Sequence, residues 1–210
     1  MADFTPRTTQ PSTSSEYYTV SSSTSGYPSP IETPSILGNC TWYCYCRWYE
    51  LLGEQVDKLK RLGNASTWLA NAKANGLDTG TTPALGAILC MSGGNFSGLG
   101  HVAVVEYIDE NYNIKCSQSA YNTGYFYYGG GATKKATSQY QTISCQPYYY
   151  YANSYEPGKA WGYDFQGFIY LPGEPIPPTP DPPSGKSSKM NFIFYLPNWN
   201  NRRKLKLSHN

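Results

Sequence analysis

Two helical segments and then four strand-like segments follow one another in residues 31–172, where apolar and polar positions show the clearest periodicity. Residues 40–52 run without Pro or Gly from a Gly-Asn turn and cap to Gly53, which predicts a helix. A second helix is predicted over 64–75, because Asn64 suits its first turn and Gly76 its end.

Strands are predicted over residues 84–91, 101–108, 113–121 and 166–171. In the second of these, His101 shares a face with the other odd-numbered residues, while Glu106 lies on the opposite face. A turn at 109–112 would return the chain antiparallel to this strand. Helices that precede a set of antiparallel strands predict an α+β fold.

The flanking segments differ in composition from this central domain of residues 31–172. Residues 1–30 are rich in Ser and Thr with little to bury, which predicts a disordered or docking arm. Residues 173–185 form a proline-rich linker that should be extended and stiff. Residues 186–210 are a short basic, aromatic tail.

Charge and hydropathy narrow the classes of partner. The net charge of +2 gives no indication of a nucleic-acid partner. Six Lys and Arg without any acid give residues 186–210 a net charge of +6 and leave a net charge of −4 on the other residues. No apolar run approaches the roughly 20 residues that span a bilayer. The N-terminus lacks the basic and apolar regions of a signal peptide. We therefore expect a protein that is made in a cytoplasm and has no signal peptide.

The chain has six cysteines. An even number invites a disulfide interpretation, but a chain of this length without a signal peptide favours free thiols. The Cys40-x3-Cys44-x-Cys46 spacing lacks the two ligand pairs typical of a zinc site. We therefore predict no metal.

Cys40 is predicted to be a nucleophile. It stands at the start of a helix, where unpaired N–H groups and the helix dipole stabilise an anion and lower a thiol pKa. Most free cysteines are simply small buried hydrophobes. That ordinary interpretation is kept for the other cysteines of the predicted helices and strands, Cys44, Cys46, Cys90 and Cys116.

His101 is the predicted base for this thiol. The chain's other histidine, His209, lies in the basic tail. His101 opens a strand directly after the segment SGGNFSGLG, whose glycines allow a substrate or a backbone to approach closely. A helix-start Cys followed by a strand-start His is the order expected of a papain-like site.

A third residue should orient the imidazole. Glu106 is excluded by strand alternation, because it points to the face opposite His101. A turn of two or four residues would place Gln118 on the His101 face, where its side-chain carbonyl can accept a hydrogen bond. Alternatively, Gln118 is only a polar strand residue, since the register of the hairpin is not fixed by the sequence.

The motifs GNCTWYCYCRWYELLG, TPALGAILCMSGG, GHVAVVEYI, IKCSQSAYN and FQGFIYLP together resemble the CHAP family, cysteine- and histidine-dependent amidohydrolases and peptidases that cleave peptidoglycan. The resemblance implies a papain-like fold, with N-terminal helices packed on an antiparallel sheet. It also implies Cys40 as nucleophile and His101 as base. The family's orienting Glu falls on Gln118 and its following Asn on Ala120. Some members bind calcium through an acidic loop before the nucleophile, and no such loop precedes Cys40, so no cofactor is implied.

The function expected from this resemblance is hydrolysis of a peptidoglycan amide, as an N-acetylmuramoyl-L-alanine amidase or an endopeptidase. The family is common in bacteriophage lysins, so we expect a virion-associated lysin or an endolysin. It would reside in the virion or in the host cytoplasm before reaching the wall, with the tails docking on virion or tail proteins. Asn39, Trp42 and Tyr121 are predicted substrate contacts, although core packing explains the aromatic residues equally well.

Two other functions fit the sequence. One is a structural virion component whose hydrolase fold has lost activity, which the replacement of the family's Glu favours and intact Cys40 and His101 oppose. The other is a transglutaminase-like or deamidating cysteine enzyme on a related fold.

Overall fold

The computed structural model describes residues 4–30, 37–94, 98–110, 112–119, 126–129, 131–134, 140–143 and 163–174, with backbone alone for 131–134 and 140–143. Within these residues, three α-helices and several 3-10 turns accompany eight strands. The predicted α+β class is confirmed, with helices packed on an antiparallel sheet. Residues 175–185 of the predicted linker 173–185 and the whole tail 186–210 lie outside the described residues, so the predicted roles of the linker and the tail stay predictions.

The helices are α1 (Ser22–Ser25), α2 (Cys40–Leu52) and α3 (Trp68–Ala74). Helix α2 has the predicted bounds and ends at Gly53, whose φ of 71° and bond to the Tyr49 carbonyl form a left-handed cap. The second predicted helix is divided into a 3-10 turn over Ala65–Thr67 and the shorter α3. No described helix is both long and apolar enough to cross a membrane.

Six strands form one antiparallel sheet in the order β1-β8-β2-β3-β4-β5, and two more form a separate hairpin, β6-β7. Strand β3 has the predicted bounds, while β2 and β8 are displaced by a few residues from their predictions. The short strands β1, β5, β6 and β7 were not predicted. The strands are β1 Thr79–Gly80, β2 Ile88–Gly93, β3 His101–Ile108, β4 Ile114–Ser119, β5 Phe126–Gly129, β6 Gly131–Lys134, β7 Tyr140–Ile143 and β8 Tyr163–Ile169.

Each face of the large sheet has its own core. On one face α2 packs against even-numbered residues of β2 and β3, including Val102 and Val104. On the other face a second cluster contains Ala103 and Val105 of β3 with Phe168 of β8. The near-continuous apolar sequence of β3 follows from burial on both faces.

The N-terminal arm is part of this folded unit. Tyr18, Val20 and Tyr27 are buried against α2 and its neighbours. The Tyr27 hydroxyl donates to the Leu59 carbonyl at 2.8 Å. The prediction of a disordered arm is therefore wrong for residues 4–30, because a few aromatic and aliphatic side chains in the Ser/Thr-rich stretch bury enough apolar surface to order it.

The β3–β4 hairpin contains two irregularities that cancel. Ile108 pairs with Ile114, so residues 109–113 connect the strands and the predicted even-length turn is wrong. A bulge between Val105 and Tyr107 then shifts the register by one residue. As a result Val105 is opposite Cys116, and even-numbered residues of β4 share a face with odd-numbered residues of β3.

Candidate active site

Cys40 lies at the start of α2, beside the beginning of β3. The Val105 N–H donates to the carbonyl of Ala87, the residue before β2, so alternation along the strand directs the Val102 N–H toward the β4 side. Pairing with β4 starts only at Val104, and the Val102 N–H is directed at the Cys40 sulfur instead. The thiol therefore adjoins the residue that follows His101.

The pKa of the Cys40 thiol is raised by burial to about 11. The N–H groups of Val102, Thr41 and Cys40 itself oppose this shift. The prediction of a lowered thiol pKa is therefore wrong for this state, because loss of hydration outweighs the amide dipoles at the helix start when the side chain is only 6% exposed. Cys40 rests as a neutral thiol.

His101 is held by Gln118. A hydrogen bond joins the imidazole Nε2 to Gln118 Oε1, and both side chains are buried. Since a carboxamide oxygen only accepts, Nε2 carries the proton and Nδ1 keeps its lone pair in the neutral ring. The bond therefore selects the tautomer in which Nδ1 can act as a base.

Burial lowers the pKa of His101 to about 4, against the bond to Gln118, which raises it. The imidazole is consequently neutral at ordinary pH. A neutral imidazole and a neutral thiol favour proton transfer during attack rather than a standing thiolate–imidazolium pair.

The Gln118 Nε2 atom is buried, and no partner for it is present within the described part of the chain. The Gln118 oxygen therefore makes a hydrogen bond, whereas its nitrogen makes none among the described residues. This difference indicates that the position requires a hydrogen-bond acceptor. A carboxylate oxygen would meet the same requirement on the His101 side.

Glu106 lies away from the imidazole, in a buried polar network on the α2 side of the sheet. Its carboxylate accepts from Arg47 Nε at 2.9 Å and from Arg47 Nη2 at 3.0 Å. It also accepts from the Ser117 hydroxyl at 2.6 Å, and Ser117 accepts from the Tyr43 hydroxyl at 2.7 Å. The carboxylate therefore fixes α2, β3 and β4 to one another.

The three predicted substrate contacts have different outcomes. Asn39 takes the N-cap position of α2 and is partly exposed at the site, although its side chain makes no capping bond. Trp42 is fully buried and donates to the Val20 carbonyl at 2.9 Å, so it anchors the arm and does not face a substrate. Tyr121 lies outside the described residues.

Sequence reasoning missed Tyr163, the first residue of β8, whose ring lies against His101. Its neighbour in space, Gly94, has a φ of 90°. A glycine-rich segment before His101 was noted in the sequence, but nothing in the spacing links it to a residue near the end of the domain. The contact depends on the pairing of β8 with β2.

The residues of this candidate site lie in a segment that is similar to a known protein family. Residues 31–120 match the family model of the CHAP domain. The match falls within the central domain and agrees with the resemblance that the motifs indicated. It contains Cys40, His101 and Gln118, while β5 to β8 follow it in the chain.

Curated relatives include a probable autolysin LDP of Staphylococcus aureus, 34% identical over 43% of this chain and 35% of that protein. The staphylococcal secretory antigen SsaA of Staphylococcus epidermidis is 34% identical over 51% of this chain and 37% of that protein. The match thus covers little more than a third of these relatives. A solved N-acetylmuramoyl-L-alanine amidase from Staphylococcus aureus is 26% identical over 43% of this chain and 26% of its own, with a TM-score of 0.37.

Proposed function

We propose that this protein is a peptidoglycan hydrolase that cleaves an amide bond of the bacterial cell wall with Cys40 as nucleophile and His101 as general base. The observation that carries the proposal is the juxtaposition at the start of β3. There the Cys40 thiol lies on the Val102 N–H, and the adjacent imidazole is held by Gln118 in the tautomer of a base. The CHAP domain and the relative named an autolysin support peptidoglycan as the substrate.

The reaction starts from neutral groups. His101 Nδ1 takes the thiol proton as the Cys40 sulfur attacks the amide carbonyl carbon. The resulting oxyanion is stabilised by the Cys40 N–H, which has no partner within the helix because it lies in the first turn. The imidazolium then protonates the leaving amine, the C–N bond breaks, and a thioester remains on Cys40.

Water completes the cycle. Neutral His101 removes a proton from a water molecule as the water attacks the thioester carbonyl. The C–S bond breaks, the free carboxylic acid leaves, and the proton returns to the Cys40 sulfur. Gln118 contributes by holding the Nε2 proton throughout, so that Nδ1 alone exchanges protons with substrate and thiol.

Digestion of purified Gram-positive cell walls tests this function. The wild-type protein should release muropeptides with new free amines, and mass spectrometry of their ends distinguishes the two bond types. A new amine on L-alanine with an intact lactyl group on muramic acid identifies the amidase. A new amine within the stem peptide or cross-bridge identifies an endopeptidase. Intact walls and muropeptides after incubation with folded wild-type protein would refute the proposal.

A viral setting is the finer part of the proposal. We infer a virion-associated lysin or an endolysin, with the tail of residues 186–210 acting outside the catalytic domain. Truncation after Pro172 should leave hydrolysis of soluble muropeptides within about twofold of wild type. If attachment to an anionic wall polymer depends on the six basic residues of the tail, truncation should weaken it, and salt should weaken the wild-type attachment as well. Loss of muropeptide hydrolysis by the folded truncated protein would contradict this separation.

Gln118→Ala should lower turnover by about ten- to a thousandfold, if the orienting bond contributes about 1.4–4 kcal/mol to the transition state. Without the acceptor, the imidazole can rotate or adopt the other tautomer. Steady-state kinetics on a soluble muropeptide measures the effect. Gln118→Glu should retain substantial activity, because an acceptor remains. The exposed Gln55 provides the control, and Gln55→Ala should be silent. Wild-type turnover in folded Gln118→Ala would remove Gln118 from the site.

A further inference from the structure

The His101 imidazole is covered on one side by the ring of Tyr163. The ring centroids are 5.9 Å apart, and the planes are tilted by 31°. Tyr163 is 9% exposed and His101 is 1% exposed. The reaction as proposed does not use this ring, since Tyr163 is neither base nor nucleophile and Gln118 makes the hydrogen bond to the imidazole.

A glycine provides the space that this ring occupies. Gly94 has a φ of 90°, and a Cβ atom placed on it would lie 2.2 Å from the Tyr163 ring. No side chain fits there without moving the tyrosine. Tyr163 is also paired with Gly93 across β8 and β2, which fixes its backbone beside β2. The position of the ring is therefore set from two sides, by the strand register and by the absent side chain of Gly94.

We propose that Tyr163, seated on Gly94, is a positioning residue that holds the His101 imidazole in its catalytic orientation and keeps water away from it. The inference rests on the proposed function in one respect: a change in activity reveals the contact only if Cys40 and His101 are the reacting pair. The contact itself acts on the imidazole whether or not a substrate is known. It implies that the working pH range of the enzyme depends on an aromatic residue from the last strand.

The groups around the imidazole give the expected sign. Gln118 of β4 bonds to the ring, the Cys40 thiol of α2 lies at the N–H of the next residue, Val102, Met91 is the strand partner of His101 on β2, and Tyr163 covers the ring from β8. None of these is charged in the resting state. Burial is the main cause of the lowered pKa of His101, so admitting water must raise that pKa toward its ordinary value of about 6.5.

Four variants test the contact. Tyr163→Ala removes the ring, Tyr163→Phe keeps it, and Gly94→Ala displaces it from the opposite side. Tyr107→Ala is the control, because Tyr107 lies at the other end of β3 and is 46% exposed. The His101 ring resonance is followed by NMR as a function of pH, in a His209→Gln background that leaves one histidine. The acid limb of kcat/KM on a soluble muropeptide is measured in parallel.

The pKa of His101 should rise by about 1–2.5 units in Tyr163→Ala and rise also in Gly94→Ala, with Tyr163→Phe and Tyr107→Ala close to wild type. Activity at pH 5 relative to pH 7.5 should fall about two- to thirtyfold in Tyr163→Ala, because half or more of the imidazoles would then be protonated at pH 5. Rescue by Phe distinguishes shielding by the ring from a role of the hydroxyl.

An unchanged His101 titration in folded Tyr163→Ala overturns the inference, as does an equal shift in Tyr163→Phe. These outcomes are read from the resonance and need no substrate. If the wild-type protein proves inactive on walls while the titration shifts as expected, the proposed function fails and the contact stands. If walls are digested but the titration does not move, the contact fails and the function stands.

Discussion

Cys40→Ser is expected to abolish wall hydrolysis, with turnover reduced by about 10⁴-fold or more. The sulfur is the atom that forms the bond to the substrate. A serine hydroxyl in the same buried position is a far weaker nucleophile toward an amide with only a neutral imidazole to activate it. Turnover on purified walls and on soluble muropeptides measures the loss, and circular dichroism confirms that the variant is folded.

Cys44→Ala is the matched control, since Cys44 lies one turn further along α2. Its side chain is fully buried in the core, and burial raises its thiol pKa well above the ordinary value. The variant should fold and retain activity within a few-fold of wild type. Full activity in Cys40→Ser would exclude the nucleophile proposed here. A folded but inactive Cys44→Ala would place the reactive thiol on a different turn of the helix.

The elements with local signals at both ends could be predicted from the sequence. Helix α2 lies between an Asn cap position and a glycine that adopts the left-handed conformation, with neither Pro nor Gly between them. Strand β3 begins after a glycine with a φ of 75°. Strands β5, β6 and β7 could not be predicted in this way. Their segments are four residues long and rich in Tyr, Gly and Thr, and they are too short to give a clear alternation of apolar and polar positions.

The site shows the same division between local and non-local causes. The helix-start position of Cys40 follows from the cap, and strand alternation separates Glu106 from His101. The sequence did not indicate the bulge at Glu106, yet the bulge places Gln118 on the His101 face after a turn of odd length. Burial of Cys40 depends on packing of several elements, and so its raised pKa could not be predicted from the helix dipole alone.

The bulge also explains why a carboxylate is buried at residue 106. With one extra residue in β3, the Glu106 side chain reaches both Arg47 of α2 and Ser117 of β4. The arm joins the same network, since the backbone N–H of Arg7 donates to the Glu106 carboxylate at 2.9 Å and the Arg47 guanidinium donates to the Thr5 carbonyl at 2.7 Å. Strand alternation places Glu106 away from the catalytic site. Its carboxylate nevertheless holds together the elements that form that site.

Glu106→Gln should therefore lower the free energy of unfolding by up to about 3–5 kcal/mol, because the buried Arg47 loses its bidentate partner and keeps only the ion pair with Glu50. Urea denaturation measures the loss. Asp57→Asn is the control: its ion pair with Lys60 is exposed, and removing it should change the free energy by about 0–1 kcal/mol. Replacing both buried partners, with Arg47→Met and Glu106→Leu, should restore part of the loss, since no uncompensated charge then remains.

The folded fraction of Glu106→Gln should keep near-wild-type turnover, because Glu106 does not contact His101. A loss below about 1 kcal/mol would show that the network does not hold the domain together. A folded variant with greatly reduced turnover would show that the carboxylate acts on the imidazole after all.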